Sequence, residues 1–159
     1  IGGREWGIGG AFLTSHPPFP VPDSRTFSWP TRVYWEDTDA GGVVYHARYV
    51  AFLERARTEW LRWRGHGQED LRQRHDLVFA VRAMQLDFLR PARLDDLLQV
   101  SAGLQACTRA SLVFAQSIVR GDEVLLTAQV RVAVLSASSF RPKPLPDALH
   151  EELKALESP

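Results

Sequence analysis

Apolar residues recur every third or fourth position from about Tyr45 to Trp63, and every second position in much of the chain from Leu98 to Leu135. No single kind of element can satisfy both periods. The first spacing sets Tyr49, Leu53, Ala56, Trp60 and Trp63 on one face of a helix, with Arg48, Arg55, Arg57, Glu59 and Arg62 opposite. Gly65 and Gly67 supply the stop, and Gln68 to His75 suits a short second helix. Leu77 to Leu89 is of mixed apolar content with no helical stripe and ends before Pro91. The second spacing predicts a half-buried strand over Leu98 to Ala106 and a central strand over Ser111 to Val119. After a Gly121-Asp122 turn it predicts a long strand over Glu123 to Leu135. A β-branched, aromatic strand is expected over Thr31 to Trp35, and a loop over Glu36 to Gly42. Pro142, Pro144 and Pro146 exclude regular structure, and Asp147 to Leu156 suits a short helix capped by Asp147. One long helix followed by hairpin-connected strands is an α+β order, with an antiparallel sheet wrapped around the helix.

Composition narrows the function. The chain has 159 residues, room for one domain. Its 19 basic and 19 acidic side chains cancel, which argues against broad binding to nucleic acid or to an anionic membrane. The single cysteine, Cys107, excludes an internal disulfide and a cysteine-rich zinc site, and fits a reducing, cytoplasmic setting. No apolar run approaches the roughly 20 residues that span a bilayer. Residues 1–27, rich in glycine and proline, lack the pattern of a signal peptide and read as a flexible arm or a non-native remnant.

Reactive side chains are densest in Tyr34-Trp35-Glu36-Asp37-Thr38-Asp39-Ala40-Gly41-Gly42-Val43-Val44-Tyr45-His46, between a strand and the first turn of the helix. The first amides of a helix lack internal partners and carry the positive end of its dipole. Gly41 and Gly42 let backbone approach a ligand closely. A carboxylate such as Asp39 beside free amides can hydrolyse an acyl compound: the amides hold developing negative charge, and the carboxylate activates water or attacks directly. On spacing alone, Asp37, Thr38 and Asp39 read more readily as turn and cap residues, and His46 as structural.

Asp37-Thr38-Asp39-Ala40-Gly41-Gly42-Val43-Val44-Tyr45-His46, followed by Tyr49, Phe52, Glu54, Ala56 and Arg57, closely resembles the start of the YbgC-type acyl-CoA thioesterases. These belong to the 4-hydroxybenzoyl-CoA thioesterase family of hotdog-fold proteins. The resemblance continues more weakly to about Leu135. It implies a hotdog thioesterase domain over 28–140, with 141–159 as a C-terminal tail. It implies that Asp39 is the catalytic aspartate, as nucleophile or general base. A backbone amide at His46 would polarise the thioester carbonyl, with the His46 side chain also serving the site. Tyr45 would flank the acyl group and Gly42 the substrate. The family's dimers share a continuous sheet, often pair into tetramers and hold their sites between subunits. Coenzyme A phosphates would lie near basic side chains, Arg109 among them. No metal and no cofactor is expected.

Other residues have plainer readings. Arg90 and Arg93 flank Pro91 and are weaker phosphate candidates. Glu54 could orient a catalytic group, although a salt bridge to Arg57 is a sufficient explanation. Trp60 and Trp63 suit the core or an interface. Cys107 has no activating neighbour in sequence. His16, His66, His75 and His150 lack ligand spacing. Asp37-Thr38-Asp39 also suits a magnesium-dependent phosphatase, but that chemistry belongs to a parallel α/β sheet. Two further roles stand beside hydrolysis: binding of acyl-CoA or acyl carrier protein without turnover, and partnership in an envelope complex. The acyl group stays open among short aliphatic, long-chain and aromatic types.

Overall fold

The computed structural model describes residues 27–157. The arm expected over 1–27 lies, apart from Phe27, outside them, as does His16. In chain order come β1 (Phe27–Arg32), α1 (His46–Trp63), α2 (Gln68–His75), β2 (Leu77–Phe88), β3 (Leu97–Cys107), β4 (Ser111–Arg120), β5 (Glu123–Ser136) and α3 (Asp147–Lys154). The strands form one antiparallel sheet in the order β1-β3-β4-β5-β2. Shifts of register in β2 at Val81/Ala83, between β3 and β4 at Leu104/Ala106, and between β4 and β5 at Ile118/Val119 bend the ladders.

Helix α1 packs chiefly on β3 and β1. Its buried stripe is Tyr49, Phe52, Leu53, Ala56, Trp60 and Leu61. Across from it lie the alternating inward residues Leu98, Val100, Ala102 and Leu104 of β3 and Leu112, Phe114 and Ile118 of β4. Trp60 meets Phe114 edge to face at 5.3 Å. The helix stops as its sequence predicts. His66 N–H bonds Leu61 O and Gly65 N–H bonds Arg62 O, with Gly65 at φ +86°, a conformation that a side chain would strain. One long helix held in a five-stranded antiparallel sheet is the hotdog arrangement expected.

Several expectations change in detail. The first strand runs over Phe27–Arg32, earlier than the Thr31–Trp35 reading. As an edge strand β1 tolerates Pro30, and Trp35–Asp37 turns into a short 3₁₀ segment instead. Arg57 does not sit on the solvent face. It turns inward, buried, and donates to Gln116 Oε1 at 2.9 Å, so the Glu54 salt bridge does not form. Burial holds the Arg57 guanidinium below its ordinary pKa. The C-terminal helix is preceded by Pro146, not capped by Asp147. Asp147 is committed instead to Arg109, and Leu149 and Leu153 join the core.

Candidate active site

Asp37, Thr38 and Asp39 sit two residues apart or less and do different work. Asp37 is 3% exposed. Its carboxylate accepts Tyr34 N–H at 2.8 Å and Arg48 Nε–H at 2.9 Å, and a second Arg48 nitrogen stands at 2.7 Å. Its carbonyl accepts Tyr45 N–H at 2.9 Å. Asp37 therefore ties the segment before the site to the first turn of α1. Asp39 is exposed and sits in a tight turn. Asp39 N–H bonds Val43 O at 2.9 Å, Gly42 N–H bonds Asp39 O at 3.0 Å, and Thr38 pairs with Val44. Gly42 has φ +79°, the left-handed position of a short hairpin loop that only glycine fills without strain. The Asp39 carboxylate takes Gly41 N–H at 2.8 Å. A Cβ on Gly41 would lie 3.1 Å from Asp39 Oδ1, so glycine is the residue that leaves this carboxylate its place.

Helix α1 begins two residues after the turn. No side chain caps it, and Tyr45 leads into it with extended backbone at ψ 133°. Arg48 N–H turns back to Tyr45 O at 2.8 Å. The first amides, His46 and Ala47, are left without partners inside the helix. The exposed rings of Tyr45 and His46 touch, with centroids 4.4 Å apart. The structure thus brings Asp39, Gly42, Tyr45 and His46 to one end of α1.

A strap from the β2–β3 connection holds this end. Val44 N–H bonds Ala92 O at 2.9 Å, and Val43 pairs with Arg93. Ala92 N–H donates to the Tyr49 hydroxyl at 3.0 Å. Tyr49 is buried in α1 one turn after His46, and burial raises its phenol above the ordinary value. The Ala92 bond and the Arg120 charge oppose that rise, whereas the Asp96 and Asp39 carboxylates add to it. Arg93 N–H in turn bonds Asp96 Oδ2 at 2.8 Å, and the same oxygen takes Arg120 at 2.8 Å with both side chains buried.

Arg109 is not brought to this site. It lies past the far end of β3, and that strand alone spans roughly 30 Å. There it donates to Asp147 at 2.5 Å and to Leu145 O at 3.5 Å. Arg90 pairs with Glu123 at 3.0 Å, and His66 with Glu152 at 2.8 Å. Trp60 is core, whereas Trp63 is exposed beneath the Arg64 guanidinium. Cys107 is buried, and burial pushes its thiol up, the opposite of activation. Among the described residues no group of three His, Cys, Asp or Glu stands close enough to hold a metal ion.

Sequence reasoning missed the Asp96–Arg120 pair and the hydroxyl role of Tyr49. A signal for the first was present: Pro91-Ala92-Arg93-Leu94-Asp95-Asp96 crowds charges into a short connection, and Arg120 ends an apolar strand. Tyr49 was legible only as a core residue, because its hydroxyl partner lies 43 positions away.

A long helix held in a five-stranded antiparallel sheet, with a carboxylate-bearing turn leading into its uncapped first turn, is the arrangement of the hotdog thioesterases. The model of the Thioesterase-like superfamily matches residues 33–153, and the chain belongs to that family. It is 46% identical over 133 residues to the acyl-CoA thioester hydrolase YbgC of Escherichia coli O6:H1, covering 83% of this chain and 98% of that one. It is 43% identical over 129 residues to the acyl-CoA thioesterase YbgC of Haemophilus influenzae, covering 81% and 92%. Among solved structures, a probable thioesterase from Bartonella henselae superposes with a TM-score of 0.73 at 38% identity, over 76% of this chain and 99% of that one. The protein is an enzyme, a thioester hydrolase.

Proposed function

We propose that the substrate is an acyl-CoA, cleaved to the carboxylic acid and free CoA at the Asp39–His46 end of α1. The observation that carries this reading is the exposed Asp39 carboxylate, fixed by Gly41 N–H, in a turn two residues short of α1's first open amides. The amides of the first helical turn receive the carbonyl oxygen as it gains negative charge. Two routes use Asp39. As general base it takes a proton from water while the water oxygen bonds to the carbonyl carbon. The C–S bond then breaks, and the proton passes to the departing sulfur. As nucleophile it forms an anhydride with release of the thiolate, and water then hydrolyses the anhydride. The His46 amide polarises the carbonyl and its side chain serves the same site, the Tyr45 ring flanks the acyl group, and Gly42 keeps the approach open. Arg109, paired with Asp147 of α3 in this chain, is exposed and is the proposed contact for coenzyme A phosphates in a site shared between subunits.

The working form in this reading is a homodimer joined along β2, with pairing of dimers into a homotetramer a further step. Support comes from the position of β2 at the end of the sheet, where among the described residues no strand lies along one side of its backbone, and from the exposed Val50, Val81, Phe88 and Leu89. The test is release of free thiol from a panel of acyl-CoAs of differing chain length and aromatic character. Turnover on at least one member is expected. Saturable binding with no thiol release on any member would replace hydrolysis with acyl-CoA or acyl-carrier-protein binding.

A further inference from the structure

We propose that Arg120, through its buried pair with Asp96, is a positioning residue for the catalytic turn. The inference rests on the assignment of Asp39 made above. Arg120 ends β4 and belongs to neither the turn nor the helix. Its side chain is 5% exposed and that of Asp96 is 1% exposed. Taking two such charges out of water is costly, and a pair of well-packed apolar residues often serves stability as well or better. Its presence calls for a role beyond holding the fold.

The bonds around the pair supply that role. Arg120 donates to Asp96 Oδ2 at 2.8 Å and to Pro91 O at 3.1 Å, so one guanidinium grips both ends of the 91–96 connection. A second carboxylate, Glu123, stands 3.4 Å away on the far side of the hairpin. Asp96 passes the grip on: its carboxylate takes Arg93 N–H, and its carbonyl takes Val33 N–H at 2.9 Å. The gripped connection then meets the site at three points. Ala92 O holds Val44 N–H, Arg93 pairs with Val43, and Ala92 N–H holds the Tyr49 hydroxyl. Val43 is the residue whose carbonyl receives Asp39 N–H, and Tyr49 lies one turn past the open amides. The Asp39 turn and the helix start are thus tied to one strap with one buried charge pair at its root. The separation of nucleophile or base from oxyanion donors is what catalysis is most sensitive to.

Arg120→Lys keeps the charge but, on a shorter stem, draws its one nitrogen back from Pro91 O and Asp96 and gives up the second nitrogen's contact with Glu123, whereas Arg120→Met keeps the bulk and loses charge and grip together. The readouts are kcat and KM for the best acyl-CoA, with melting temperature measured on the same samples. For Arg120→Lys, kcat is expected to fall about 10- to 100-fold with KM within about threefold, because misplacement of reacting groups acts on the transition state. Arg120→Met should fall at least as far, so that the lysine variant is a partial rescue. A lowered melting temperature with kcat within twofold of wild type would make the pair merely structural and overturn the proposal. Should both variants fail to fold, amide exchange on the wild-type enzyme decides. The amides of Asp39, Val44, Ala92 and Arg93 must open as one unit; free exchange of Asp39 and Val44 while Ala92 and Arg93 stay protected would overturn it. Full activity in Asp39→Asn would sink the site assignment itself, a separate result from any outcome at Arg120.

Discussion

Asp37→Asn and Asp39→Asn are the same chemical change two residues apart, and they should do opposite things. At Asp37 the lost charge faces three donors: Tyr34 N–H at 2.8 Å and two Arg48 nitrogens at 2.9 and 2.7 Å. An asparagine oxygen can keep either the two Arg48 nitrogens, which share Oδ1, or Tyr34 N–H on Oδ2, and its NH₂ group then points a donor at the other side. Each hydrogen bond to a charged group contributes about 1.5–3 kcal/mol. Arg48 is 29% exposed and regains water when released, which reduces the loss. The expected destabilisation for Asp37→Asn is therefore about 2–4 kcal/mol, a fall in melting temperature of about 2–4 °C for each kcal/mol in a chain of this length. At Asp39 the carboxylate is exposed and accepts Gly41 N–H, which an asparagine oxygen also accepts. The expected change there lies within about 0.5 kcal/mol. Urea unfolding at pH 7, followed by tryptophan fluorescence, reads both: the midpoint should drop for Asp37→Asn at unchanged slope and stay put for Asp39→Asn. Equal losses at the two sites, or no loss at Asp37, would refute the division of labour between them.

Further outcomes follow from the same geometry. Gly41→Ala should lower kcat about tenfold with stability within about 1 kcal/mol, since the new methyl presses on Asp39 Oδ1 and a small displacement of a catalytic group is costly; unchanged kinetics would show that the carboxylate has room to spare. The Tyr49 phenol is raised in the folded chain, so its contribution is complete below the unfolded value of about 10 and is lost as pH rises through the folded value. The urea midpoint of the wild type should fall between about pH 9 and about pH 11, and fall less in Tyr49→Phe, with the Cys107 contribution common to both. Val81→Lys puts a charge on the exposed β2 edge and should convert a dimer to a monomer by light scattering, with loss of thiol release. A wild-type monomer with full activity would remove the proposed interface.

The fold was legible where one period dominated. Leu98 to Leu135 alternates because one sheet face meets α1 and the other does not, and Tyr49 to Trp60 repeats at helical spacing because that stripe fills the sheet. The chain was ambiguous where a side chain overrode its local pattern. Thr31 to Trp35 looks like a strand, yet Asp37 folds back onto Tyr34 N–H and bends it. Arg57 belongs by charge to the outer face, and Gln116 of β4 draws it in. The near parts of the candidate site, Asp39 to His46, are contiguous, so their proximity could be read from the sequence. The strap could not, because Ala92, Asp96 and Arg120 meet the site only after β2, β3 and β4 have paired.

The most direct measurement is thiol release by Asp39→Asn at saturating acyl-CoA, with folding verified beforehand. Loss of the acting carboxylate should lower kcat by about a thousandfold or more while the variant still binds substrate. Turnover within tenfold of wild type would mean that the reacting carboxylate, and hence the whole site, lies elsewhere.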